Sequence, residues 1–102
     1  MRRGMVRYRV KPGQVAVNEE LVRDVYEDLG RRRPPGFRYA TFKLDDGVSF
    51  VHIAAQESEQ NPLGEVEAFQ RFTADIASRC DEPPVVTELA PVGSFGFDGV
   101  LV

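Results

Sequence analysis

Asp45-Asp46-Gly47 separates two runs rich in aromatic and β-branched residues, 37–44 and 48–54. This hairpin constrains the fold more than any other stretch of the chain. An Asp-Gly pair suits a type I′ turn, whose two central residues take positive φ. With Asp46 and Gly47 as the two-residue loop, Asp45 stands opposite Val48 and Phe42 opposite Val51. Ala40 then meets Ile53, Lys43 meets Phe50 and Thr41 meets His52. Ala40, Phe42, Leu44, Val51 and Ile53 thereby form one uniformly apolar face, whereas a three-residue loop would mix His52 and Phe50 into it. Slips of one residue are penalised when a face is buried. The expectation is that this apolar face packs against helices, leaving Phe37, Tyr39, Thr41, Lys43, Phe50 and His52 on the other.

The remaining segments fall between clear punctuation. In residues 5–10, Val6, Tyr8 and Val10 alternate with Arg7 and Arg9, the period of a half-buried strand, and Lys11-Pro12-Gly13 ends it. A helix follows from about Gln14 or Asn18 to Leu29, with Leu21, Val22, Val25 and Leu29 on one stripe. Asn18 reads as its N-cap, with Glu19 and Glu20 at the positive end of the helix dipole. Gly30 reads as its stop, ahead of Arg31-Arg32-Arg33 and Pro34-Pro35-Gly36. Residues 56–63 are polar and contain Asn61-Pro62, a loop. A second helix runs from Gly64 or Glu65 to Arg79, with Val66, Phe69, Phe72, Ile76 and Cys80 at spacings of three and four, and Pro83-Pro84 ends it. Residues 85–89 form a last β-rich run.

The order β-α-β-β-α-β defines an α+β, ferredoxin-like unit, one antiparallel sheet with two helices on one face. At 102 residues this is one domain, 1–102, with 92–102 as a C-terminal extension that is either an added strand or unstructured. A single cysteine, Cys80, excludes an intramolecular disulfide, and no apolar run approaches a membrane span, so the expected compartment is the cytoplasm. One histidine and one cysteine, without ligand spacing, predict no metal site. No Gly-rich phosphate loop follows a strand.

Helices cover only one face of such a sheet. In the first strand Val6, Tyr8 and Val10 suit the helix side, which puts Arg7 and Arg9 on the open face, beside His52. An open face holding Phe37, Tyr39 and Phe50 needs a partner. Single-stranded nucleic acid is one candidate. Residues 47–53 echo an RNA-recognition strand in their glycine and in Phe50-Val51, but Asp46 stands where a basic residue belongs. Stacking sites combine aromatics with positive charge, and the net charge here is −3, so no nucleic-acid partner is expected. The other candidate is a second copy closing face to face around a partly polar cavity.

The strand 5–10 with Lys11-Pro12-Gly13, the Pro35-Gly36-Phe37-Arg38-Tyr39 approach to the second strand and the hairpin ending in Phe50-Val51-His52 resemble the dimeric α/β-barrel superfamily. The spacing of Phe69, Gln70 and Phe72 is similar to its antibiotic-biosynthesis-monooxygenase-type branch. The resemblance spans about residues 5–97 and includes no diagnostic catalytic motif. It implies a homodimer packed sheet to sheet that binds a small molecule. It further implies either a cofactor-free oxidoreductase acting on an aromatic or polyketide-like compound, or a non-enzymatic dimeric module. Haem degradation in that superfamily uses an Asn on the first strand, a Trp on the third and a His on the second helix. This chain has none of the three at those places.

His52, the sole histidine, is the candidate acid-base residue, with Glu88 its nearest prospective carboxylate; the alternative is a hydrogen-bonded cavity or interface histidine. Arg7 and Arg9 are candidate ligands for a carboxylate or phenolate-like oxygen, or else members of ion pairs. Tyr39, Thr41 and Phe50 are candidate walls for a small aromatic ligand, or else part of a dimer core. Arg31-Arg32-Arg33 reads as a solvated turn and Cys80 as a buried structural thiol.

Overall fold

A computed structural model describes residues 1–97. Four strands, β1 (Arg2–Val10), β2 (Phe37–Lys43), β3 (Ser49–Gln56) and β4 (Cys80–Glu88), form one antiparallel sheet in the order β2-β3-β1-β4. Helix α1 (Val15–Arg32) connects β1 to β2, and α2 (Glu67–Ala74) with the short α3 (Ile76–Arg79) connects β3 to β4. The fold is ferredoxin-like. Residues 98–102, the end of the expected extension, lie outside the described residues, and 91–97 form no strand.

The hairpin register is the expected one, with Phe42 opposite Val51 and Thr41 opposite His52. Its turn is not type I′. Gly47 has φ 78°, but among the described residues Arg33 is the only non-glycine with positive φ, so Asp46 does not share that region. The turn closes from the Gly47 amide to the Leu44 carbonyl at 3.0 Å. The Asp46 carboxylate accepts from the Val48 and Ser49 amides (2.9 and 2.8 Å) and from the Ser49 hydroxyl (2.6 Å).

The faces of that hairpin are the reverse of the expectation. In an antiparallel pair, residues directly opposite share a face. Tyr8 stands opposite Phe50 and Val6 opposite His52. Once Val6, Tyr8 and Val10 turn toward the helices, Phe50, His52, Thr41 and Tyr39 must turn with them. The apolar set Ala40, Phe42, Val51 and Ile53 is left on the uncovered face, where Phe42 is 52% exposed. Arg7, opposite Val51, lies on that face too, and so does Arg9. Neither stands beside His52.

Two helix ends also differ. Asn18 is not the N-cap; the helix begins at Val15, and Asn18 is fully buried inside it. Its position three and four residues before Leu21 and Val22 places it on the apolar stripe. Gly30 does not stop α1. The helix continues to Arg32, and Arg33 takes the left-handed conformation (φ 45°, ψ 58°), its amide bonding the Leu29 carbonyl. The expected long second helix is interrupted at Asp75. Pro83 and Pro84 lie within β4 rather than before it. A sheet edge tolerates proline, and the register shift between the partners of Arg7 and Arg9 absorbs the pair.

Candidate ligand-binding site

Between the sheet and the helices runs a continuous hydrogen-bond chain, buried from Arg79 to His52 and half-buried beyond it. Arg79, at the end of α3, donates to the Phe72 carbonyl (2.6 Å) and reaches Asn18 Oδ1 at 3.5 Å. Asn18 Nδ2 donates to the Tyr8 hydroxyl (2.9 Å), which lies 2.8 Å from His52 Nε2. On the other side of the imidazole, Nδ1 is 2.7 Å from the Tyr39 hydroxyl and 3.0 Å from Thr41 Oγ1. Thr41 in turn meets the Tyr26 hydroxyl at 2.7 Å. Strand alternation supplies Tyr8, Tyr39, Thr41 and His52, and the buried stripe of α1 supplies Asn18 and Tyr26.

The rings enclose this chain. His52 stacks on Tyr8 (centroids 5.4 Å apart) and lies against Phe72 (5.4 Å) and Tyr39 (5.7 Å). Tyr8 also stacks on Phe50 at 5.6 Å. Loss of hydration penalises charge here. It lowers the His52 pKa from 6.5 to about 4, so the imidazole is neutral at pH 7. Burial likewise raises the Tyr8, Tyr39 and Tyr26 phenols, which stay protonated. Arg79 is 6% exposed, and its guanidinium sits 5.5 Å over the Phe72 ring. No carboxylate pairs with it among the described residues, and its Nε has no hydrogen-bond partner.

A cavity of about 280 Å³ opens beside the chain, walled by Val6, Tyr39, His52, Phe69, Phe72 and Ile76. Thr73 borders it too, but its hydroxyl is directed back to the Phe69 and Gln70 carbonyls. Tyr39 and His52 therefore supply the side-chain polarity of an otherwise apolar space. A second cavity of about 260 Å³ shares the wall formed by Val6, Tyr39, His52 and Val86, and is rimmed by Arg2, Gln56 and Asn61. The arrangement can hold a flat apolar molecule and engage one polar edge of it.

The structure thus brings Tyr39, Thr41 and His52 together. Phe50 is buried in the stack beneath Tyr8, away from these two cavities. Arg7 and Arg9 belong to the opposite face, where Arg9 meets Glu82 of β4 at 3.5 Å. Glu88 pairs with Arg2 at 3.6 Å, and both His52 nitrogens are occupied by other groups. Arg31 and Arg32 lie in the last turn of α1 rather than in a turn beyond it, and both contact Asp28. Cys80 is buried, and burial raises its thiol pKa. Sequence reasoning missed Tyr8, Tyr26, Phe69, Phe72 and Arg79 as neighbours of the site. The pairing of β1 with β3 would have found Tyr8, and the helical position of Asn18 was a signal for a buried polar group.

Fold and site define a ferredoxin-like α+β domain with an aromatic-walled cavity between sheet and helices. Solved structures share that fold. A Nitrosomonas europaea protein assigned to the antibiotic biosynthesis monooxygenases superposes with a TM-score of 0.73 over 91% of this chain and 100% of its own, at 19% identity. Another antibiotic biosynthesis monooxygenase gives 0.73 over 91% and 100%, at 20% identity. Rv0793 from Mycobacterium tuberculosis gives 0.69 over 91% and 96%, at 20% identity. No family model matches the chain. In sequence, 75 residues are 28% identical to Chaperone protein ClpB 1 of Nostoc sp. (strain PCC 7120), a match covering 72% of this chain and 8% of that protein.

Proposed function

We propose that this chain is a small-molecule-binding protein that takes an aromatic compound into the cavity beside Tyr39 and His52, and that it does so as a homodimer closed through the uncovered sheet face. The cavity carries the reading: about 280 Å³, apolar-walled, with its hydrogen-bonding side chains gathered at one side. Ligand sites have this character, a hydrophobic body with a few placed polar groups. Calorimetric titration with 1-tetralone, two fused rings bearing one ketone, tests it. One site per chain is expected, abolished by Ile76→Trp, which fills the cavity. A folded protein that binds no tetralone, or an Ile76→Trp variant that binds it equally, refutes the reading.

The uncovered face supports the dimer. Phe42 and Val85 are 52% and 62% exposed there, with Met5, Val51 and Ile53 half-buried around them. Arg7 stands between Val51 and Val85, and exposed apolar side chains grouped around it on one face mark an interaction site. Light scattering is expected to give twice the monomer mass across a wide dilution range, and a clean monomer refutes closure.

The name carried by two of these structural neighbours favours a second reading, in which the bound compound undergoes cofactor-free oxidation of the monooxygenase type with His52 as its acid-base group. The hydrogen bonds closed at both ring nitrogens, and the low basicity that burial imposes, favour binding without reaction. Unchanged turnover of a found substrate by His52→Ala removes His52 from any mechanism.

A further inference from the structure

From the Tyr8 hydroxyl to the imidazole, one arrangement of protons leaves neither group's proton unpaired. A guanidinium carries donors and no acceptor. The Asn18 atom facing Arg79 is therefore the oxygen, and the amide nitrogen faces Tyr8, as the contacts show. The Tyr8 oxygen accepts that hydrogen bond, so its single proton is directed to its other neighbour, His52 Nε2, at 2.8 Å. Nε2 must then be the unprotonated nitrogen. Burial keeps the imidazole neutral, so it carries one proton, and that proton is on Nδ1. Nδ1–H points at the Tyr39 hydroxyl (2.7 Å) and at Thr41 (3.0 Å), whose oxygens accept. The Tyr39 proton is thereby turned away from the ring. An acceptor atom of a bound ligand can take it in place of Thr41.

We propose that Arg79, acting through Asn18 and Tyr8, locks His52 as its Nδ1–H tautomer and so makes Tyr39 a hydrogen-bond donor to the cavity, selecting aromatic ligands that present an acceptor oxygen. Arg79 is a positioning residue in this scheme, since its contacts are with Phe72 and Asn18. The scheme accounts for an otherwise costly feature, a buried cation without a carboxylate partner among the described residues. A carboxylate at the position of Asn18 would neutralise Arg79 but accept the Tyr8 proton, reversing every bond as far as Nδ1. The ligand selection rests on the cavity reading above; the locked tautomer does not.

The test uses tag-free protein with 15N-labelled histidine. His52 is the only histidine, so one imidazole gives the whole signal. At pH 7 the long-range proton–nitrogen spectrum is expected to show Nδ1 protonated and Nε2 bare. Asn18→Asp is expected to move the proton to Nε2, while Arg79→Lys, which keeps a donor, leaves it on Nδ1. A wild-type Nε2–H tautomer, or a folded Asn18→Asp variant with the proton still on Nδ1, overturns the proposal. If Asn18→Asp does not fold, Tyr8→Phe replaces it. Nε2 then loses its donor and its resonance moves to that of a nitrogen without a hydrogen bond; an unmoved resonance overturns the chain.

For the ligand, 1-tetralone is compared with tetralin, the same rings without the oxygen. The ketone is expected to bind about tenfold more tightly, the worth of one net hydrogen bond, and Tyr39→Phe to level the pair. Equal affinities in the wild type overturn the selection. Binding by neither compound refutes the cavity reading together with the selection, and the histidine spectrum then decides the tautomer on its own.

Discussion

Acidification from pH 7 to pH 5 titrates His52 in the unfolded chain and leaves it neutral in the folded one. Its pKa is 6.5 when exposed and about 4 when folded, because burial penalises the imidazolium. The unfolded state then binds more protons than the native state throughout the interval between those values, and stability rises with pH wherever that is so. The contribution is complete above pH 6.5, declines as the pH falls through 6.5 toward 4, and is constant below. Integrated over the interval, it costs about 2 kcal/mol by pH 5 and about 3 kcal/mol by pH 4. Carboxylates titrate in the lower part of the same range, so the wild type alone does not isolate the effect. His52→Gln keeps a polar side chain at the site and removes the titration. Urea unfolding of both proteins at a series of pH values gives the difference directly. The advantage of the wild type over His52→Gln is expected to shrink by about 2 kcal/mol between pH 7 and pH 5. Parallel stability curves would refute the claim that His52 is held neutral by its surroundings.

Other consequences are accessible to the same assays. Phe42→Glu, at an exposed position on the uncovered face, is expected to halve the mass measured by light scattering while leaving the circular dichroism spectrum unchanged. Arg79→Ala strands the Phe72 carbonyl and the Asn18 amide in the core, and denaturation is expected to show a loss of about 3 kcal/mol, the scale of a charged hydrogen-bond donor removed from buried acceptors. Arg33→Gly relieves a left-handed residue at the end of α1, and thermal unfolding is expected to show a gain of about 0.5–1 kcal/mol, the conformational strain less the entropy of glycine. Asp46→Ala removes three hydrogen bonds from the β2–β3 turn. Those bonds lower the Asp46 carboxyl to about pKa 2, so the deficit of the variant is expected to be full above the ordinary carboxylate pKa and to vanish as the pH falls through 2.

The fold was legible because its signals are local. Alternation in β1, the stripe of α1 and the Asp-Gly hairpin each specify an element, and their order specifies the topology. The hairpin register was legible for the same reason, although the turn that enforces it depends on the Asp46 carboxylate rather than on two positive-φ residues. The faces were not legible from hydrophobicity. His52, Thr41 and Tyr39 read as solvent-facing because each carries a polar atom. In the fold those atoms satisfy one another and Tyr8, Asn18 and Tyr26, which removes most of the cost of burying them. The more apolar set, Phe42 with Val51 and Ile53, was free to occupy the uncovered face. Opposing β1 to β3, with Val6 and Tyr8 already turned inward, contained the correction. The role of Arg79 was illegible for a different reason. Its partner Asn18 is 61 residues away in the chain, and no spacing rule connects them.

The most direct test of the account follows the sole imidazole during ligand addition. Protein labelled with 15N at histidine is titrated with 1-tetralone, and the His52 ring resonances are recorded at each step. Saturable movement of the Nδ1 signal, complete at one ligand per chain and absent in Ile76→Trp, is the predicted result. Binding that leaves the imidazole unmoved would place the ligand elsewhere on the molecule and contradict the assignment of the site.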